Sequence, residues 1–207
     1  MSKSLSAPVL KRATTPATSP QARILDVARE LFCRDGIHAT GIDRILAEAG
    51  ASKMTLYARY GSKDALLRAV LVEEGEDWRQ RFFTRLDAAG PEPLAQLQAI
   101  VPALSDWFSG GKFYGCAFMN AVSEHRKDEV WLRAMAADHH REILAKLNAI
   151  GTAAGIADPG TLARQMLLLM DGTIAALMVS GDATVLDIAK RNLDAILAAA
   201  PYIDPAY

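Results

Sequence analysis

TGIDRILAEAGASKMTLYARYGSK, residues 40–63, reads as two short helices joined by a tight turn. Thr40 is expected to cap the first helix, its hydroxyl accepting a free amide, with Asp43 reaching back three residues as in a capping box. Ile42, Ile45, Leu46 and Ala49 fall at i, i+3, i+4 and i+7 and make one apolar face. Gly50 suits the left-handed residue that ends a helix. Ser52 caps the second helix after a one-residue gap at Ala51. In that helix only Leu56 is plainly a core residue, whereas Lys53, Met54, Thr55, Tyr57, Arg59 and Tyr60 are long, polar or hydroxyl-bearing. Gly61 ends it, and Ser62 caps the next helix. The pattern is that of a helix-turn-helix, whose second helix is narrow enough to enter the DNA major groove and meet base edges there.

The flanking sequence completes this unit. Ser19 and Pro20 start a helix with proline at its tolerated first position; Ile24, Val27, Ala28, Leu31 and Phe32 form its buried stripe, and Gly36 ends it. Ser62 opens a long helix to about Ala89. Leu66, Leu67, Val70 and Leu71 in its first half belong to the small N-terminal core, whereas Trp78, Phe82 and Leu86 in its second half face another. One helix shared by two cores is a mechanical link.

These residues carry a resemblance. Ile24 to Leu71 resembles the DNA-binding domain of the tetracycline-repressor (TetR) family, through ILDVARELF (24–32), Gly36, Thr40, ILAEAGAS (45–52), TLY (55–57), Tyr60 and SKDALL (62–67). The resemblance implies an all-α chain of about nine helices: a tail over 1–18, a three-helix DNA-binding domain over 19–71 with its motif at 40–60, and a helical ligand-binding and dimerisation domain over 72–207. The expected DNA contacts are Thr40, Arg44, Ser52, Lys53, Met54, Thr55, Tyr57, Arg59, Tyr60 and Lys63. Lys63 lies at a helix start, where its charge and the free amides could meet a phosphate together.

Charge agrees with that division. The net charge is −1, but residues 1–70 hold 11 Lys/Arg against 6 Asp/Glu, and residues 71–207 hold 12 against 18. A basic N-terminal third suits phosphate contact, and an acidic remainder is repelled by DNA. Residues 1–18, rich in Ser, Thr, Ala and Pro, are expected to be a disordered, weakly basic tail. Two cysteines, Cys33 and Cys116, are too few for a disulfide framework, so a reducing cytoplasm is the expected setting. No apolar signal core is expected in the first 20 residues. The run Met166–Val179 contains Asp171 and is read as too short to span a bilayer.

Helices are expected at 94–109, 115–125, 128–150, 161–179 and 183–199, after the Gly90-Pro91-Glu92-Pro93 break. The Gly115-Cys116-x-Phe118-x-Asn120 pattern resembles the corresponding part of many TetR-type regulators. The 161–179 helix is apolar on nearly every side, so it needs more cover than one neighbour supplies. With 183–199 it forms a hairpin that TetR-like proteins pair into a four-helix dimer interface. Leu169, Thr173, Leu177, Ile188 and Ile196 are expected near that interface, and a two-fold homodimer suits a palindromic double-stranded operator.

A small, largely apolar ligand is expected among these helices. Its candidate contacts are Trp107, Phe113, Phe118, Asn120, Trp131, Met135, Met166, Met170 and Asp171, with Phe108, Arg126 and His139 beside them. Catalytic chemistry has no visible support: no nucleophile elbow or phosphate-binding glycine loop occurs, and no cofactor is expected. His139 and His140 point about 100° apart on a helix and make a poor ligand pair, so no metal site is expected. The chain reads as a ligand-released repressor; the alternative is the same fold acting as an activator, or without a small-molecule inducer.

Overall fold

A computed structural model describes residues 19–126 and 128–203. The expected tail at 1–18 lies outside them. The described residues form ten helices: α1 (Pro20–Asp35), α2 (Ile42–Ala49), α3 (Lys53–Tyr60), α4 (Lys63–Asp87), α5 (Pro93–Gln98), α6 (Ile100–Ser109), α7 (Ala117–Glu124), α8 (Val130–Ala153), α9 (Pro159–Ser180) and α10 (Thr184–Ala199). The single helix expected over 94–109 is interrupted at Ala99 and becomes α5 and α6. Among the described residues the only β pairing is an isolated bridge between Ile156 and Tyr202. It pins the chain after α10, with Ile203 N–H donating to Gly155 O at 2.7 Å.

Local sequence explains most boundaries. Ser19, Ser52 and Ser62 each accept an amide at 3.1–3.2 Å, from Ala22, Thr55 and Ala65 respectively. Gly50 closes α2 at φ 58, ψ 44, a left-handed conformation that glycine adopts without a Cβ penalty. The expected cap of α2 is a correction. Gly41 occupies the N-cap position without a side-chain bond. Thr40 is completely buried instead, and its hydroxyl donates to Gly36 O at 2.7 Å, with Leu31 O at 3.3 Å. Asp43 forms no capping box; its carboxylate takes Lys53 Nζ at 2.8 Å.

Two clusters of buried side chains result. The N-terminal one contains Ile24, Ala28, Leu31, Ile45, Leu56, Leu66, Leu67 and Leu71. Each fully buried aliphatic side chain contributes about 1.5–3 kcal/mol relative to exposure, which lets 8-residue helices persist that would be marginal alone. The second cluster takes Trp78, Phe82 and Leu86 from α4 and packs them with Leu97, Ile100, Leu104, Ile143, Leu147, Met166, Ile174 and Leu193. Helix α4 thus enters both cores, as its sequence indicates. The N-terminal core does not stop at residue 71, however: Phe118, Ala121 and Leu132 from α7 and α8 are buried in it.

Helix α9 is 22 residues long and contains an 18-residue window of mean hydropathy 1.5, enough by length and composition to cross a bilayer. The expectation of too short a run is corrected in that respect. Its buried stripe of Leu162, Met166, Met170, Ile174 and Leu177 packs against α8 and α10, which accounts for the apolar residues on that face.

Candidate nucleic-acid interface and buried cavity

Helix α3 is held by one anchor and a few edge contacts. Leu56 is fully buried and faces the core. Half-buried Tyr60 donates through its hydroxyl to Gln21 O at 3.1 Å, so it seats α3 on α1. The opposite side is open: Ser52, Lys53, Met54, Tyr57 and Arg59 are exposed, Met54 at 80%. Thr55 is half-buried and its hydroxyl lies 2.9 Å from that of Ser52. A helix presenting lysine, arginine, a tyrosine hydroxyl and a thioether on one side can donate to base edges and phosphates and touch a thymine methyl.

The remaining candidates are arranged differently. Thr40 is corrected: its hydroxyl and its amide are both satisfied inside the protein, the latter by Ile37 O at 3.4 Å, so no part of its side chain reaches the surface. Arg44 is exposed on α2 and pairs with Asp35 at 2.8 Å and Glu48 at 3.0 Å. Lys63 is half-buried, and its ammonium donates to Ile37 O at 2.6 Å. Burial draws its pKa below the usual lysine value. Arg23 escaped the sequence reading. It donates to Ala49 O at 2.9 Å and Gly50 O at 3.2 Å, holding the carbonyl end of α2 against α1. An arginine one turn into a helix gives no sequence signal of a partner 26 residues on.

The second core holds a small cavity. Its walls include Glu74 and Trp78 from α4, Trp107, Cys116 and Phe118, His139, His140 and Ile143 from α8, and Met170, Asp171 and Ile174 from α9. The Trp78 and Trp107 rings meet edge-on at 5.7 Å, and Phe118 stacks on His139 at 4.3 Å. The volume is about 30 Å³, room for one or two waters; drug-sized ligand sites span roughly 300–1,000 Å³. Burial, then the charge of Arg79, holds the His139 imidazole down to about 3, so it is neutral. Arg79 lies 3.0 Å from His139 Nδ1. A guanidinium only donates, so Nδ1 accepts and the ring proton sits on Nε2. Asp171 lies 3.6 Å from His140 Nε2, and burial raises its pKa.

Of the expected ligand contacts, Trp107, Phe118, Met170, Asp171 and His139 line this cavity. The others lie outside its wall. Trp131 and Met135 pack on the N-terminal core, where the Arg68 guanidinium lies 3.6 Å over the Trp131 ring. Met166 is wholly buried in the second core but is not in the cavity wall. Phe113 packs edge-on against Trp107 at 4.9 Å and Phe108 at 5.3 Å. Asn120 donates to Tyr114 O at 2.8 Å and orders the loop before α7. Arg126 is exposed and pairs with Asp128. Glu74 and Trp78 were missed as wall residues because α4 reads as a linker. Burial pushes the Cys33 thiol up to about 12 and raises that of Cys116, so neither is poised as a thiolate. Among the described residues no group of three or more His, Cys, Asp or Glu could hold a metal ion.

The outer faces of α9 and α10 carry Leu168 (75% exposed), Val179 (84%) and Ile188 (50%). Of the expected interface residues, Ile188 is exposed and Leu169 and Ile196 are half-buried. Thr173 and Leu177 are corrections: both are buried within the chain, and the Thr173 hydroxyl donates to Leu169 O at 2.7 Å.

Among the described residues, an open second helix on a three-helix unit with a helical core behind it is the architecture of a helix-turn-helix protein. Residues 24–70 match the family model described as bacterial regulatory proteins, tetR family. The transcriptional regulator UidR of Escherichia coli K12 is 35% identical over 68 residues, which cover 33% of this chain and 35% of UidR. The transcriptional repressor SCO4008 of Streptomyces coelicolor is 49% identical over 51 residues, 25% of this chain and 27% of that protein. The chain therefore spans about a third of the length of these curated relatives or less. The crystal structure of SCO4454, a TetR-family transcriptional regulator from Streptomyces coelicolor, superposes with a TM-score of 0.80 at 28% identity, covering 86% of this chain and 94% of that one. Residues 24–70 thus carry a DNA-binding domain of the tetR type, and the relatives and the solved structure that match the chain are themselves described as transcription regulators or repressors.

Proposed function

We propose that this protein is a repressor that binds a palindromic operator as a homodimer on cytoplasmic DNA and is released by a small, largely apolar ligand. The observation that carries the DNA part is the asymmetry of α3, with Leu56 buried and Lys53, Met54, Tyr57 and Arg59 in solvent. Dimerisation is supported by the apolar outer faces of α9 and α10, which a second copy can cover with the same two helices. It also places two copies of α3 on one duplex, about 34–36 Å apart for successive major grooves.

Release is supported by the route through α4. Trp78 and Glu74 form cavity wall, and eleven residues earlier α4 begins at Lys63 beside α3. With only about 30 Å³ open, a ligand has to part the wall to enter. A form that admits it therefore differs in shape from the closed one, and binding shifts the population toward the open form. The tight cavity also favours a second reading, in which the same fold works without a small-molecule inducer. The test is selection of duplexes from a random pool, followed by a ligand screen on the complex. Enrichment of an inverted repeat and its release by a compound that binds more weakly when DNA is present support the repressor. Enrichment without any releasing compound supports the second reading, and no enrichment refutes both.

A further inference from the structure

Helix α7 spans the distance between the cavity and the turn that leads into α2. Near its start, Phe118 is cavity wall. The Phe118 ring lies so close to Gly75 of α4 that a Cβ there would stand 2.9 Å from it. At its end, the carboxylate of Glu124 accepts the backbone N–H of Ile37 at 2.8 Å and of His38 at 3.0 Å. The backbone oxygen of Glu124 lies 2.8 Å from His38 Nε2, so the imidazole donates to it through that nitrogen. Lys63 grips the same turn from the other side through Ile37 O. Gly36 permits the approach: its φ is +90°, and an added Cβ would sit 3.3 Å from the Glu124 carboxylate. Hydrogen bonds to a carboxylate are roughly twice as strong as neutral ones, and these two fix residues four to five positions before α2 begins.

We propose that Glu124 is a positioning residue for operator binding: its carboxylate latches the α1–α2 turn, and α7 thereby ties the seat of the helix-turn-helix to the wall of the cavity. The latch makes no DNA contact. It sets the angle at which α2 and α3 meet the duplex, and a displacement of Phe118 is passed along one short helix to Ile37 and His38. The proposal rests on the DNA-binding reading above.

The test compares wild type, Glu124→Ala and Glu124→Gln on a duplex enriched by selection with the wild-type protein. Amide exchange is followed in the free proteins. The glutamine keeps one carbonyl oxygen able to accept both amides, whereas alanine keeps none. The expected result is faster exchange at Ile37 and His38 in Glu124→Ala with unchanged protection in α8–α10. Its operator affinity falls roughly 5- to 150-fold, the range of a typical coupling between sites, and Glu124→Gln stays near wild type. Wild-type affinity in Glu124→Ala overturns the proposal. So does a loss of protection throughout α8–α10 that Glu124→Gln shares, since that marks a general stability role. Failure of the wild type to enrich any duplex refutes the DNA-binding reading itself, and the latch with it.

Discussion

Arg29 of α1 and Glu74 of α4 are ion-paired, and the same Glu74 is part of the cavity wall. Arg29 also donates to Asp77 at 2.8 Å, one turn further along α4. The helix that supports the helix-turn-helix is therefore tied to two carboxylates of the linking helix, with the Arg29 side chain only 13% exposed.

Arg29→Gln should destabilise the protein by about 1–3 kcal/mol, because a half-buried carboxylate loses its charged partner. Adding Glu74→Gln should recover part of that loss. Urea unfolding of the two single variants and the double gives the coupling, expected to exceed about 0.5 kcal/mol. Additive values would show that the pair does not join α1 to α4 energetically.

Thr40→Val tests the corrected role of Thr40. The shape is kept, but the hydroxyl that serves Gly36 O is gone. Stability should fall by about 1–3 kcal/mol, the cost of an unsatisfied buried group, while the folded fraction binds operator as well as wild type. Loss of affinity without loss of stability would restore Thr40 as a DNA contact.

The interface prediction separates two leucines of α9. Leu168 is 75% exposed and Leu177 is 1% exposed. Leu168→Glu should give a folded monomer near 22.3 kDa by light scattering, with the wild type near twice that mass. Leu177→Glu should unfold, since a buried unpaired charge has no partner in the core. A wild type of monomer mass would remove the dimer from the proposal.

Stability should fall with acid through His139. Its folded value of about 3 lies below the ordinary 6.5, so the unfolded chain takes up a proton that the folded one refuses. The contribution is complete above pH 6.5 and is lost as pH falls toward 3. Between pH 6.5 and 5 the loss is about 1.5 kcal/mol from this group. Asp171, raised by burial, acts in the opposite sense, so the difference between wild type and His139→Gln isolates the histidine. Equal pH dependence in the two proteins would contradict a buried neutral imidazole.

Much of this was legible in the chain because the information was local. Ser19, Ser52 and Ser62 announce helix starts, and Gly50 announces an end; each acts on amides or carbonyls within three or four residues. Leu56 is the one plain core residue of its helix, so the open face of α3 followed directly. Errors arose where a side chain answers to a distant partner. Thr40 has the composition of a cap, yet its hydroxyl is claimed by the end of α1. Trp131 has the look of a pocket residue, yet it lies under Arg68 of α4. Helix α9 is apolar all round, so periodicity could not say that Leu177 faces its own core and Leu168 faces out.

The central claim is that α3 reads DNA, and fluorescence anisotropy on a selected duplex across a salt series tests it most directly. The wild type should bind with a steep salt dependence, about −0.9 in log–log slope for each phosphate neutralised. Lys53→Ala should lower affinity on all sequences and flatten the slope by about one unit. Tyr57→Ala with Arg59→Ala, both on the exposed side of α3, should lower affinity at least about tenfold on the selected duplex and erode its advantage over a scrambled one. Wild-type affinity, slope and preference in all of these variants would contradict a DNA-reading role for α3.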